Sequence, residues 1–171
     1  MEFWKVNYSY WPMFKPHYYL DLAMPPAAQC FIGAINGEPV CHLAVTPFFH
    51  VGYYRATRLV VMPEWQGAGV GTKFLEWVCR YHKEGNGHLN IKLPTLFHTS
   101  HPQLIGYLKN SPNWALTSQQ LFGGLKSASR KSINNAIKKS AGKFGGKKES
   151  ASAKPGFGGH FRAVQGFKYI G

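Results

Sequence analysis

The chain has 171 residues, enough for one domain with a real core, and it contains no stretch near the roughly 20 uninterrupted apolar residues a membrane span needs. Its 20 Lys and Arg against 7 Asp and Glu give a net charge of +13, which points to polyanionic partners such as coenzyme A or nucleic acid. Cys30, Cys41 and Cys79 are odd in number and scattered, which excludes a disulfide framework and the paired spacing of a zinc site, and Met1-Glu2-Phe3-Trp4-Lys5 lacks a basic segment before an apolar run, so a soluble, cytoplasmic protein with no membrane partner is expected.

The first clear elements are Cys30 to Ile35 and Val40 to Val45, two apolar runs flanking Asn36-Gly37, a preferred pair for a type I′ hairpin turn. A two-residue turn would put Cys30, Ile32, Cys41 and Leu43 on one face, with Phe31 and His42 on the other. A strand Thr57 to Val61 then stops at Met62-Pro63, since proline removes a ladder donor and fixes a bend. From Val70 a helical repeat places Val70, Phe74, Leu75, Val78 and Cys79 on one side, and Gly85-Asn86-Gly87 ends it. Thr95 to Thr99 reads as the next strand, and His101-Pro102 starts a short helix through Leu108 that Ser111 to Trp114 closes.

From Ser118 to Gly158 the composition changes to Gly, Ser, Lys and Ala, with nine basic residues against the single acid Glu149. Ser127 to Lys139 can become helical once a polyanion screens its charges. Arg130, Lys131, Lys138, Lys139, Lys147 and Lys148 suit phosphate neutralisation without base readout, and a solvated loop that aids solubility is the alternative. His160 to Gln165 and Phe167 to Ile170 read as strands returning to the sheet. Residues 1–171 therefore form a single domain with a basic insertion at 118–158.

A strand that stops, the loop Gln66-Gly67-Ala68-Gly69-Val70-Gly71 and an immediate amphipathic helix together form an anion site. Free amides and the helix dipole both favour negative charge there. Thr72 can add a hydroxyl. The loop does not fit a dinucleotide fold, which wants its first strand near the start and an acid about 20 residues on. It does not fit a nucleotide-triphosphatase loop either, since Gly71-Thr72-Lys73 has the wrong order.

The run Leu59 to Gly71 resembles the coenzyme A loop of the GCN5-related N-acetyltransferases (GNAT) in order and spacing, and the likeness extends over roughly Ala28 to Trp114 plus the closing strands. It implies an α+β (mixed α/β) fold with a central, mainly antiparallel twisted sheet flanked by helices. It also implies acetyl-CoA or another acyl-CoA as donor, with the main chain of Leu59, Val60 and Val61 against the pantetheine arm and the pyrophosphate on the glycine loop. Ile105-Gly106-Tyr107-Leu108-Lys109 is similar to the segment that carries the family's tyrosine acid, which nominates Tyr107, or a packed aromatic there. Arg58 stands where many relatives place a glutamate or the water it holds. His98 is a chemically sound substitute base, or a hydrogen-bonded structural histidine. Trp11-Pro12-Met13-Phe14 with His17-Tyr18-Tyr19-Leu20, and the closing Phe167 to Gly171, resemble the phage Mom-like DNA-modification acyltransferases. That likeness implies that His17 and Tyr18 border the acceptor pocket, against the plainer reading of an aromatic helix packed on the sheet.

Three expectations follow: an acyltransferase modifying DNA or a nucleotide base, one acting on a protein or small amine, and a noncatalytic nucleic-acid binder on the same fold.

Overall fold

The structure is a computed structural model that describes residues 1–19, 24–120 and 163–171. Arg130, Lys131, Lys138, Lys139, Lys147 and Lys148, the helix expected over Ser127 to Lys139 and the stretch His160 to Arg162 lie outside the described residues.

Seven strands form one sheet in the order β1 (Glu2–Val6), β2 (Gln29–Ile35), β3 (Glu38–Phe48), β4 (Tyr53–Val61), β5 (Thr95–Thr99), β7 (Val164–Tyr169) and β6 (Trp114–Gln120). Every neighbouring pair is antiparallel except β4 and β5. A short helix α1 (Trp11–Phe14), a long helix α2 (Val70–Lys83) and a third helix α3 (Pro102–Asn110) complete the architecture. This is the mixed α/β fold the sequence implied. Strand β6 begins where the sequence suggested only the close of a helix, and it runs to Gln120, three residues into the stretch read as the basic insertion.

The β2–β3 hairpin turns on Asn36 and Gly37, both at positive φ (53° and 83°), as a type I′ turn requires. Its faces differ from expectation. Ala34 pairs with Pro39 and Gly33 with Cys41, so Val40 is an extra residue in the ladder. One such bulge reverses the facing of every residue beyond it. Phe31 therefore shares its face with Cys41 and Leu43, while His42 stands opposite Ile32 on the other face.

The two faces carry two cores. Phe31, Cys41, Leu43, Tyr54, Ala56, Phe97 and Phe167 pack against Val70, Phe74, Leu75, Val78 and Cys79 of α2 and Leu108 of α3. On the opposite face Trp11, Phe14, Ile32 and Val60 form a smaller cluster joined by Tyr18 and Met62. All three cysteines are free and buried. Burial pushes the Cys41 thiol up to about 12 and raises Cys30 and Cys79 as well, so they act as packing groups rather than nucleophiles.

Helix α2 follows its sequence pattern, with every apolar position named above buried and Arg80 and Lys83 in its last turn, where cations oppose the helix dipole. In α3, His101 is the N-cap and Leu104 N–H donates to its Nδ1 at 3.5 Å. Among the described residues no helix is long and apolar enough to cross a membrane.

Candidate active site at the β4–α2 junction

Proline at 63 forces a turn over Pro63–Trp65, and the Gln66 side chain then closes the loop by donating from Nε2 to the Val61 carbonyl at 2.9 Å. Gly67 and Gly69 both take left-handed φ (82° and 74°), which any residue with a Cβ adopts only at a cost of about 1–2 kcal/mol. Gly71 is needed for a different reason: a Cβ there would stand 2.9 Å from Cγ2 of Val61. Gly67, Ala68 and Gly69 are exposed, while Val70 is anchored in the core. The amides of Val70, Gly71 and Thr72 precede Lys73, the first N–H to donate back along the helix, to the Gly69 carbonyl at 3.2 Å, so they are left free of intrahelical acceptors at this exposed loop. The Thr72 hydroxyl donates to the Gly69 carbonyl at 2.9 Å, so it stiffens the loop. An anionic group fits this cradle because amides, dipole and open glycine surface coincide.

Strand β4 leaves its parallel partner just before that loop. Tyr54, Arg55 and Ala56 pair with Thr95, Leu96 and Phe97, and among the described residues no strand pairs with Thr57 to Val61 on this side. The opposite edge of β4 stays paired to β3, but with a bulge: Ala44 faces Thr57 and His42 faces Val60, so Arg58 and Leu59 oppose Leu43 alone. Arg58 has φ 57° there. Leu59 and Val61 lean on the helix-side core and Val60 on the opposite cluster.

His42 holds the bulge. Its Nδ1 lies 3.2 Å from the Arg58 carbonyl, which can only accept, so Nδ1 carries the proton. The ring is fully buried between Trp11 and Phe14, at centroid distances of 5.1 and 5.5 Å. Burial drives its pKa down to about 4, partly offset by that hydrogen bond, so the imidazole is neutral at pH 7. Tyr18, half-buried, packs edge-on to Trp11 at 5.6 Å, and the Arg58 guanidinium carbon is 5.5 Å from its ring centroid. Desolvation, reinforced by Tyr19, pushes the Tyr18 hydroxyl up to about 12. Its neighbour His17 ends the turn Lys15–His17 and is exposed.

Tyr107 stands on α3, and its hydroxyl donates to Glu76 Oε1 of α2 at 2.9 Å. Desolvation and then Glu76 raise its pKa, so it keeps its proton. The same carboxylate accepts from Trp114 Nε1 at 3.1 Å and Asn113 Nδ2 at 3.4 Å, tying α2 to the start of β6. His98 alternates with the core residues Phe97 and Thr99, so it lies on the other face of the sheet from Tyr107. Burial and then Arg55 lower its pKa, and its Nδ1 has no hydrogen-bond partner among the described residues.

The structure thus brings Leu59 to Thr72 into one continuous feature and gathers Tyr18, Arg58 and His42 at the bulge. Tyr107 and His98 flank the sheet from opposite sides. Sequence reasoning missed His42, because the extra residue Val40 leaves no mark in the apolar alternation, and missed Glu76, which reads as one more polar helix position. Among the described residues no group of three His, Cys, Asp or Glu side chains converges on a metal site.

The family description "Acetyltransferase (GNAT) family" matches residues 1–108. No curated protein matches the sequence. Among solved structures, a ribosomal-protein alanine N-acetyltransferase from Escherichia coli superposes with a TM-score of 0.59 at 10% identity, over 99% of this chain and 92% of that one. A spermidine N-acetyltransferase chimera built on the Vibrio cholerae enzyme gives 0.60 at 8% identity, over 99% and 94%. A GNAT family acetyltransferase from Elizabethkingia anophelis, with acetyl-CoA bound, gives 0.50 at 10% identity, over 96% and 82%. At these identities the likeness is one of fold.

Proposed function

Because the chain belongs to the acetyltransferase (GNAT) family, we propose that it transfers an acetyl group from acetyl-CoA to an amine carried on DNA or a nucleotide base. The observation that carries the donor half is a coincidence in space: β4 loses its β5 partner after Ala56, and the loop of left-handed glycines opens α2 at the end of that same free edge. The main chain of Leu59 to Val61 has hydrogen-bonding capacity to spare on that edge, and the amides beyond Gly67 can take a pyrophosphate.

When bound, acetyl-CoA supplies a thioester whose carbonyl carbon forms the new bond to nitrogen while the carbon–sulfur bond breaks. Two protons must then move: one off the amine and one onto the departing sulfur. Tyr107 holds a proton on the helix side of the sheet and is the acid we assign. His98, kept neutral at pH 7 by its lowered pKa and with a buried Nδ1 that has no hydrogen-bond partner among the described residues, is the base we assign on the other face. His17 and Tyr18 border the acceptor side.

The acceptor half rests on charge: +13 overall, with Arg130, Lys131, Lys138, Lys139, Lys147 and Lys148 as phosphate contacts. A protein or small-amine acceptor is the second reading, favoured by the ribosomal-protein and spermidine enzymes among the structural neighbours. Deleting Ser127 to Lys154 separates them. Loss of acetyl transfer to an oligodeoxynucleotide with unchanged acetyl-CoA affinity is the expected result. Transfer that is insensitive to the deletion, or that occurs only on peptide or polyamine acceptors, would move the acceptor to the second class.

A further inference from the structure

The donor loop and α2 sit on the helix side of the sheet, so an acceptor nitrogen has to reach the β4–β5 opening from the opposite face. Alternation places Arg55 and Thr57 of β4, Leu96 and His98 of β5, and Gly166 and Lys168 of β7 on that face, because Tyr54, Ala56, Phe97 and Phe167 between them belong to the helix-side core. Arg55, Leu96 and Lys168 stand in one register row, with the two cations on either side of the leucine. Two strand spacings separate them, about 10 Å. Both are exposed, and among the described residues this face of β3, β4, β5 and β7 carries no carboxylate.

The row ends one residue short of the last β4–β5 pair, so it lies roughly 7 Å behind Thr57, where the strands part. His98 links the two places. Its ring leans over the buried Gly166, where a Cβ would come within 2.8 Å of Nε2 and would also meet the Ser118 hydroxyl, so the glycine is what lets the imidazole and Ser118 settle over β7. Burial, and after it the positive charge of Arg55 on the same face, lowers its pKa. Thr57 Oγ1 and Thr46 Oγ1, on the same face, are also buried without hydrogen-bond partners among the described residues.

We infer that Arg55 and Lys168 form a phosphate-reading floor that seats the backbone of a single-stranded polynucleotide beside the β4–β5 opening and presents a base amine to it. The inference rests on the nucleic-acid reading of the acceptor and adds where the strand lies. A guanidinium fork and an ammonium carried on strands about 10 Å apart, with Leu96 alone between them in the row, can engage neighbouring phosphodiesters. A polycationic amine would meet two like charges and no compensating acid.

The test uses the full chain, a labelled 12-nucleotide single strand and acetyl-CoA. Wild type, Arg55→Gln, Lys168→Gln and the double variant are compared for strand binding over a salt series and for acetyl transfer. Each single change should weaken binding by at least about fivefold at 0.1 M salt and reduce the slope of log affinity against log salt by about 0.7. The KM for the strand should rise with kcat within twofold, acetyl-CoA affinity should not move, Arg55→Lys should restore the slope, and Lys109→Gln on α3 should change nothing. Strand binding and transfer that survive intact in the double variant would overturn the floor while leaving the acceptor reading standing. A wild type that binds acetyl-CoA but no strand would overturn both.

Discussion

His42 concentrates more of the site in one side chain than any residue the sequence singled out. Its Nδ1–H satisfies the Arg58 carbonyl inside a bulge whose Arg58 has left-handed φ, so the ring holds a strained backbone at the edge where the donor would lie. Replacing it with leucine keeps the bulk but orphans that carbonyl, which should cost about 1–3 kcal/mol of stability. His42 and His82 are both fully buried, and burial lowers both pKa values to about 4 from an ordinary 6.5. The folded state therefore binds fewer protons than the unfolded chain between those values, and stability falls as the pH drops from 6.5 towards 4. Thermal melts should be level from pH 8 to about 7 and then decline, with His42, His82 and, through its own lowered pKa, His98 taking up protons on unfolding near pH 5, and with uptake smaller by about one proton in His42→Leu. A melting temperature unchanged between pH 6.5 and 5 would contradict this burial. The sequence showed a histidine in a strand. It could not show which face, because that depends on Val40, an extra residue that only the pairing reveals.

The junction of β4 and α2 works as one element. Gly71 lets the first turn of the helix settle onto Val61, where a methyl group would meet Cγ2 at 2.9 Å. Gly71→Ala should therefore lift the helix start and destabilise the fold by about 1–2 kcal/mol, and adding Val61→Ala should recover part of the loss in denaturant titrations. Equal stability of Gly71→Ala and wild type would mean that the helix does not dock this closely. This junction was legible in advance because proline, three glycines and a 3.6-residue apolar repeat are local marks, as was the Asn36-Gly37 turn. Strands β1 and β6 were not. Both are sheet edges, and β6 carries Thr117, Ser118 and Gln119 exposed, so it lacks the alternation that marks a half-buried strand. Its partner β7 begins 44 residues after β6 ends, so nothing local announces the pairing. Tyr107 was assigned its position correctly on a helix after β5, but its bond to Glu76 needed the packing of α2 against α3.

At the scale of the whole molecule, the sheet separates the proposed site residues into two sets. The helix-side face holds the glycine loop, Glu76 and Tyr107, and the other holds Tyr18, His98, Arg55 and Lys168. The opening between β4 and β5 is where they communicate. On the proposed nucleic-acid reading, this division keeps an anionic donor and an anionic acceptor from competing for one surface. Every later step needs the proposed donor loop, and isothermal titration of acetyl-CoA into wild type and Ala68→Glu tests that loop most directly. Ala68 is exposed and keeps ordinary negative φ between the two left-handed glycines, so the substitution adds a carboxylate to the anion cradle without backbone strain. Micromolar binding by the wild type, weakened at least about tenfold in Ala68→Glu with an unchanged melting temperature, is the predicted result. Equal affinity in the two proteins, or no binding by the folded wild type, would contradict the assignment of this loop to the donor.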